Sequence, residues 1–284
     1  MLNQHYMDMC GQKSVIRELF SYGSERAKEI GYENVFDYSL GNPSVDTPQS
    51  FTDEMIRLLQ NESPVTLHGY SPSLGIDSVR EAVATSLNER FDMNYTKDHI
   101  FMVSGAAGAI AHAARAVTVP GDEILTFAPY FPEYNPYINS TGATLKVVPA
   151  DISSFQINFD AFLDMLNEKV MAVLINTPNN PSGIVYSTKT IDQLALILKE
   201  KEEEYGHPIY IISDEPYREI VFHGVDAPFI ASHYHNTITC YSFSKSLSLP
   251  GERIGYIAVN PACEDACLMV DMFGQISRGI GHNC

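Results

Sequence analysis

The sequence has little positive charge, no long apolar run and no clustered cysteines, and each absence argues against a class of function. Its 284 residues hold 18 Lys and Arg against 35 Asp and Glu, a net charge of −17, whereas a nucleic-acid-binding surface needs a basic stripe. No run of about 18 apolar residues occurs, so no membrane span is expected. No basic segment followed by an apolar run opens the chain, so no signal peptide is expected. The five cysteines lack CxxC spacing, which predicts free thiols in a reducing, cytoplasmic compartment.

The most informative segment is a β-prone run, residues 237–241, which leads into serines on both sides of Lys245. Burial at the end of a strand lowers the pKa of a lysine and makes it a usable nucleophile. Such a lysine forms Schiff bases with carbonyl compounds, including the aldehyde of pyridoxal phosphate. The serines and Arg253 would suit the phosphate of that molecule. On this segment alone, the alternative is a solvated lysine in a serine-rich loop.

Two further apolar runs also deliver polar side chains where they end. Residues 209–213 lead into Asp214 and Tyr217, and residues 171–175 lead through Asn176 towards Asn180. A carboxylate that faces a pyridine nitrogen keeps the ring protonated, and a phenol can hydrogen-bond the ring's 3-oxygen. Open α/β sheets bind ligands at the carboxyl ends of their strands, so we expect these groups to lie at one ligand site.

A fourth run, residues 100–103, is followed by a turn of small residues that opens an alanine-rich helix at Gly105, Ala106 and Ala107. Free N–H groups at a helix N-terminus form an anion site, and small side chains let a phosphate approach them. The alternative is that the turn serves only close packing. The turn matches neither the GxxxxGK[ST] nucleotide loop nor the GxGxxG dinucleotide motif.

Alternation of strand-like and helix-like segments indicates an α/β fold with a mostly parallel sheet. We predict an N-terminal helix that stops at Gly31. We also predict that Asp77 is the N-cap of the helix over residues 76–90. The predicted helices cover residues 13–30, 51–59, 76–90, 159–167 and 191–204. The predicted strands cover residues 100–103, 123–127, 144–148, 171–176, 209–214, 237–241 and 254–259.

Together, the motifs NNPSG (179–183), SDEPY (213–217), SFSKS (242–246) and GERIGY (251–256) resemble the fold-type-I pyridoxal-phosphate-dependent enzymes. The resemblance is to the class I/II aminotransferases related to aspartate aminotransferase, and it runs from about Tyr38 to the end of the sequence. It implies a three-layer α/β/α large domain with a mostly parallel seven-stranded sheet over residues 46–284. Residues 1–45 would form an N-terminal arm and part of a small domain, whose C-terminal part would be largely absent from this shorter, C-terminally truncated chain.

The resemblance also implies roles for individual residues and no metal site. Lys245 would be the Schiff-base lysine, with Asp214 and Tyr217 as the other catalytic residues. Gly41 would line the substrate side. The implied contacts of pyridoxal phosphate are Tyr70, Gly105, Ala106, Ala107, Phe131, Asn180, Asp214, Tyr217, Ser242, Ser244, Lys245 and Arg253.

Two of the implied aromatic contacts, Phe131 and Tyr70, each have a simpler alternative. Phe131 would stack on the cofactor ring, whereas aromatic residues at such a cluster commonly serve core packing, which is what we expect of Tyr130 or Tyr134. Tyr70 would reach the cofactor phosphate of the neighbouring subunit in a homodimer. The alternative is that Tyr70 is an ordinary surface residue of a turn.

The implied activity is transfer of an amino group between an amino acid and a 2-oxo acid. The Lys245 amine would carry a proton between the substrate α-carbon and the cofactor, while Asp214 keeps the ring nitrogen protonated. A C–S β-lyase would use the same two residues, so the motifs leave that alternative open. A cofactor-binding but inactive truncated chain is the alternative from a different functional class.

Overall fold

The computed structural model describes residues 2, 4–11, 15–39, 41–222 and 224–282. By its internal contacts the chain divides into two units, Met1–Asp46 and Thr47–Cys284. The first unit contains helices α1 (Gln4–Gly11) and α2 (Val15–Ile30). The predicted stop of α2 before Gly31 is confirmed; the predicted start at residues 13 and 14 lies outside the described residues. Assignment of residues 1–45 and 46–284 to separate domains stays a prediction.

The described residues of the second unit form nine helices and seven strands. The helices are α3 (Gln49–Asn61), α4 (Pro64–His68), α5 (Asp77–Phe91), α6 (Gly105–Val117), α7 (Tyr134–Asn139), α8 (Phe159–Met165), α9 (Thr188–Tyr205), α10 (Phe243–Ser246) and α11 (Ala266–Ile280). The strands are β1 (Ile100–Val103), β2 (Glu123–Phe127), β3 (Thr144–Val148), β4 (Val170–Asn176), β5 (Tyr210–Asp214), β6 (Thr237–Ser242) and β7 (Gly255–Val259). Among the described helices, none combines the length and apolar character that a membrane crossing requires.

The seven strands form one sheet in the order β1-β7-β6-β5-β4-β2-β3. Strand β7 runs antiparallel to β1 and to β6, and the remaining neighbours are parallel. The predicted mostly parallel, seven-stranded sheet is therefore confirmed.

The sheet is buried on both faces, as the continuous apolar composition of its central strands requires. In β4, Ala172 and Leu174 belong to a core shared with α6, α7 and α11. Their neighbours Val173 and Ile175 point into a second core, shared with α8 and α9. Because successive side chains of a strand alternate between faces, these two cores lie on opposite sides of the sheet. The predicted three-layer α/β/α arrangement is confirmed.

The expected N-cap of α5 is wrong. The N-cap residue is Ile76, whose side chain makes no capping bond, and Asp77 is the first helical residue. The Asp77 carboxylate instead lies 3.1 Å from the Arg80 guanidinium and 2.5 Å from the Lys97 amine. These two cations compete for the carboxylate that a cap would direct to the helix N–H groups. An acidic side chain in the first turn still suits the positive end of the helix.

The parallel register brings three strand ends to one edge of the sheet. Asn176, the last residue of β4, is the direct Cα partner of Asp214, the last residue of β5. Asp214 in turn is paired with Cys240 on β6, two residues before that strand ends at Ser242. The polar groups that follow β4, β5 and β6 therefore emerge side by side.

Candidate active site

One pocket lies at this edge of the sheet and gathers most of the predicted site residues. Ten of the twelve predicted cofactor contacts line it: Ala106, Ala107, Phe131, Asn180, Asp214, Tyr217, Ser242, Ser244, Lys245 and Arg253. The eleventh, Gly105, is the first residue of α6 and directly precedes Ala106. The pocket is also lined by Ile110, Tyr137 and Pro216, which were not predicted as site residues.

One predicted cofactor contact lies outside this pocket. Tyr70 follows α4 and its side chain is fully exposed. It does not line the pocket, and its predicted contact with a neighbouring subunit stays a prediction. Gly41 belongs to the first unit, Met1–Asp46, and its predicted substrate role likewise stays a prediction.

The Asp214 carboxylate is held at the end of β5 by contacts on two sides. The Asn176 side-chain amide donates to the Asp214 backbone carbonyl at 2.8 Å, and the Tyr134 hydroxyl donates to Oδ2 at 2.5 Å. Burial raises the pKa of Asp214 to about 7; the Tyr134 hydrogen bond opposes this rise, and the charge of Glu215 adds to it. The environment thus makes ionisation of this carboxyl costly.

The second carboxylate oxygen of Asp214 is the observation that tests whether pyridoxal phosphate fits. Oδ1 is buried and has no hydrogen-bond partner among the described residues. A buried polar atom without a hydrogen-bond partner is rare in folded proteins, so a bound ligand that donates to it is a reasonable explanation. A protonated pyridine nitrogen would supply both the missing donor and a positive charge, which would favour the ionised carboxylate. The chemistry of this atom therefore fits the cofactor.

Asn180 and Tyr217 sit beside Asp214 in the pocket wall. The Asn180 backbone N–H donates to Asn176 Oδ1 at 2.6 Å, which ties the loop after β4 to the strand end. Burial raises the pKa of the Tyr217 phenol; the charge of Asp214 also raises it, and a hydrogen bond with the Asn180 side chain lowers it. Both side chains are donors at neutral pH, which is what a ring oxygen requires.

Lys245 lies on the short helix α10, immediately after β6. Ser242 caps this helix: its hydroxyl oxygen accepts from the Ser244 N–H at 3.2 Å and lies 2.6 Å from the Ser244 hydroxyl. The Lys245 side chain is partly buried, and burial lowers its pKa. A lowered pKa increases the neutral amine, which is the form that attacks a carbonyl carbon.

The other end of the pocket is suited to an anion because two glycines let β7 and Arg253 approach the start of α6 closely. A Cβ at Gly105, whose φ is +71°, would lie 2.9 Å from Arg253 Nη2. A Cβ at Gly255 would lie 2.3 Å from the Tyr241 carbonyl oxygen and 2.8 Å from Gly105 Cα. Without these side chains, β7 packs against the start of α6, and Arg253 Nη2 reaches 3.4 Å from the Ser104 carbonyl oxygen. A guanidinium beside the N-terminus of a helix is a phosphate-binding arrangement.

One residue that touches a predicted catalytic group was not predicted as a site residue. Tyr130 or Tyr134 was expected in the core, and Tyr134 is indeed buried, but its hydroxyl also contacts Asp214. Its ring stands edge-on to Phe131, with centroids 5.7 Å apart. A buried tyrosine hydroxyl usually finds a polar partner, and the spacing of three from Phe131 places both rings on one side of the turn. These two signals could have indicated it.

Comparison with known proteins gives consistent matches over most of the chain. The family model described as aminotransferase class I and II matches residues 33–280. An aspartate aminotransferase from Thermotoga maritima is 32% identical over 228 residues, which cover 79% of this chain and 58% of that relative. An aspartate aminotransferase from Pyrococcus abyssi is 30% identical over 250 residues, which cover 86% of this chain and 60% of that relative.

Solved structures agree with these matches. The crystal structure of an aminotransferase from Eubacterium rectale has a TM-score of 0.95 and 44% identity, and covers 100% of this chain and 72% of that one. The crystal structure of aspartate aminotransferase from Thermotoga maritima has a TM-score of 0.86 and 27% identity, and covers 99% of this chain and 71% of that one. The chain spans only 58–60% of the length of the two relatives matched by sequence.

Proposed function

Because this chain belongs to the aminotransferase class I and II family, we propose that the whole protein transfers an amino group between an amino acid and a 2-oxo acid. Family members related to aspartate aminotransferase are pyridoxal-phosphate-dependent enzymes. The observation that carries the proposal is Asp214 Oδ1, which is buried and unpartnered among the described residues. Its carboxylate lines the same pocket as Lys245 and Arg253.

We assign each pocket residue a task that suits its chemistry. When bound, pyridoxal phosphate supplies a pyridine ring that withdraws the electrons of the substrate Cα–H bond. Asp214 Oδ1 would accept the hydrogen bond of the ring N–H, and Tyr217 and Asn180 would donate to the ring 3-oxygen. The Lys245 amine would hold the aldehyde carbon covalently, with loss of water, and would be freed when the substrate amine takes its place on that carbon. The freed Lys245 amine would then take the proton from the substrate α-carbon.

The remaining residues would hold the cofactor in place. Arg253 and the Ser242 and Ser244 hydroxyls would bind the phosphate oxygens, together with the N–H groups of Ala106 and Ala107 at the start of α6. The Phe131 ring, which lines the pocket, would stack on the cofactor. These contacts orient the ring between Asp214 and Lys245 without taking part in proton transfer.

The first prediction is the stoichiometry of the reaction. With pyridoxal phosphate and a panel of amino acids, we expect each amino acid consumed to yield one 2-oxo acid, and an added 2-oxo acid to yield one new amino acid. Chromatography of both products measures this, with Lys245→Ala as the inactive control. Pyruvate, ammonia and thiol formed from a cysteine conjugate, without a new amino acid, would contradict the proposal and indicate C–S lysis.

We also propose that the protein is a homodimer in which each site receives Tyr70 from the other subunit. The proposal is supported by the full exposure of Tyr70 and by exposed apolar side chains on the helices before it. Met55, Ile56 and Leu59 on α3 and Val65 on α4 are between 42% and 84% exposed. A group of exposed apolar side chains is typical of an interaction surface.

The second prediction tests the shared site by mixing two variants. Tyr70→Phe chains mixed with Lys245→Ala chains should form dimers in which one site has both defects and the other has neither. When equal amounts are mixed and subunits exchange at random, about a quarter of all sites should retain cofactor as tightly as the wild type. Gel filtration followed by measurement of bound cofactor gives this fraction. A chain that sediments as a monomer with its cofactor fully bound would rule out the shared site.

Two further assignments belong to the same proposal. We place the large pyridoxal-phosphate-binding domain at residues 46–284 and the N-terminal arm and small-domain segment at residues 1–45, supported by the division of contacts between Asp46 and Thr47. We propose a cytoplasmic location because the four cysteines that the structure describes are free thiols, which a reducing compartment preserves. Fractionation of source cells, followed by immunoblotting, tests the location.

A further inference from the structure

A buried ion pair lies directly beside Asp214 and Tyr217 and has no task in the proposed function. Glu215 is 1% exposed and Arg218 is 5% exposed. Arg218 Nη1 donates to Glu215 Oε2 at 2.8 Å, and the Ser213 hydroxyl donates to Glu215 Oε1 at 2.7 Å. Burial of two charges costs about as much as their attraction returns, so stability alone does not explain this pair.

The guanidinium of Arg218 is fixed from several directions. Its Cζ lies 5.0 Å from the centroid of the Phe91 ring, 5.3 Å from that of Phe229 and 4.8 Å from that of Tyr241. Its Nη2 donates to the Tyr256 hydroxyl at 3.0 Å. Cation–π contacts and directed hydrogen bonds leave this side chain one orientation. It therefore connects β5, which carries Asp214, with β6 and β7.

A chain of one ion pair and two hydrogen bonds continues from this group to the helix that carries Lys245. The Tyr241 hydroxyl lies 2.8 Å from Glu219 Oε2 and 2.8 Å from the Ser246 hydroxyl. An ionised carboxylate only accepts, so Tyr241 donates its single proton to Glu219, and Ser246 donates to Tyr241. Glu219 Oε1 is 3.5 Å from Arg218 Nε, which closes the connection.

We infer that Arg218 is a positioning residue that holds the Asp214–Tyr217 end of the pocket and the Lys245 helix in one fixed geometry. The inference rests on the proposed function, in which Asp214, Tyr217 and Lys245 contact the same cofactor molecule and must therefore keep fixed distances from one another. Glu215 precedes Pro216 and Tyr217 and follows Asp214 directly, while Ser246 follows Lys245 directly. A shift of Arg218 would therefore be transmitted to both ends of the pocket.

The test separates positioning from simple stability by removing both charges of the pair. Arg218→Met alone leaves Glu215 buried and unpaired, which is costly whatever the role of the arginine. The double variant Arg218→Met/Glu215→Gln removes that cost and keeps similar side-chain volumes. We expect its thermal midpoint to return close to that of the wild type. We expect the pyridoxal phosphate concentration that half-saturates covalent attachment to Lys245, trapped with borohydride, to rise about tenfold.

Two single variants sharpen the result. Tyr241→Phe keeps the ring beside Arg218 but breaks the link to Ser246, and should raise the half-saturating concentration by a similar factor. Lys201→Met is the control: Lys201 forms an ion pair with Glu204 at 2.6 Å on α9 and takes no part in the connection through Glu219, so attachment should be unchanged.

Two outcomes would overturn different claims. A double variant that is stable and attaches cofactor at the wild-type concentration would overturn the positioning role of Arg218 alone. A wild-type chain that attaches no cofactor to Lys245 would overturn the proposed function on which the inference rests.

Discussion

Replacement of Lys245 by alanine is expected to abolish covalent attachment of pyridoxal phosphate while leaving the fold intact. Lys245 is the one lysine that lines the pocket in the described part of the chain, and its pKa is lowered by burial, so its amine is the best nucleophile available there. Borohydride treatment of the wild type should fix one pyridoxyl group per chain, and peptide mass spectrometry should locate it on Lys245. In Lys245→Ala the fixed label should be lost entirely.

The variant should still bind the cofactor without a covalent bond, because Asp214, Arg253 and the N–H groups at the start of α6 remain. Equilibrium dialysis would measure this residual binding. Lys199→Ala is the control, since Lys199 is an exposed residue of α9 and its loss should change neither label nor binding. Recovery of the wild-type label on a different lysine would refute the assignment.

The bounds of each strand could be predicted from the sequence to within one residue, and for the central strands the reason is burial of both faces. A central strand such as β4, Val170–Asn176, is covered on both faces, so it appears as a continuous apolar run bounded by polar residues. The short helices α4 and α7 were not predicted. Helices of five and six residues show too little periodicity to be recognised, and local caps and tertiary contacts determine them instead.

The candidate site was predictable where parallel strands bring their ends together. Asp214 ends β5 and Asn180 follows β4, the adjacent parallel strand, so their proximity results from topology and from the motifs that contain them. The contact between Tyr134 and Asp214 joins residues 80 positions apart, and no pattern within either segment specifies it. Arg218 was not predicted for a related reason. A charged residue after a strand is normally exposed, and the aromatic rings that bury Arg218 come from distant parts of the sequence.

The second large effect is expected from Asp214→Asn. The substitution should raise the stability of the chain without cofactor and lower it when cofactor is bound. In the chain without cofactor, burial raises the pKa of Asp214 from an ordinary 3.8 to about 7. Between these values the folded state holds a proton that the unfolded state has lost, so stability falls as the pH rises, and the full cost is present above about pH 7. A difference of about three pKa units corresponds to about 4 kcal/mol.

Asparagine removes this cost because it has a similar shape, carries no charge and can still accept the Tyr134 hydrogen bond. Urea unfolding without cofactor should therefore show Asp214→Asn more stable than the wild type at pH 8, by up to about 4 kcal/mol, and equal to it near pH 4. The control Asp164→Asn changes an exposed residue of α8 and should show no such dependence on pH. An Asn variant no more stable than the wild type at pH 8 would contradict the buried, costly carboxylate.

With pyridoxal phosphate bound, the wild type should be more stable than Asp214→Asn, because a ring N–H would give the wild-type carboxylate the partner that Oδ1 lacks. The amide supplies no charge to hold the ring proton, so cofactor binding should weaken about 10- to 100-fold, and conversion of an amino acid to its 2-oxo acid should slow by about two to three orders of magnitude. Stability curves with saturating cofactor and single-turnover rates measure both effects. If the Asn variant gained stability without cofactor yet turned over at the wild-type rate, the carboxylate would be buried for a reason other than catalysis, and its proposed role would have to be abandoned.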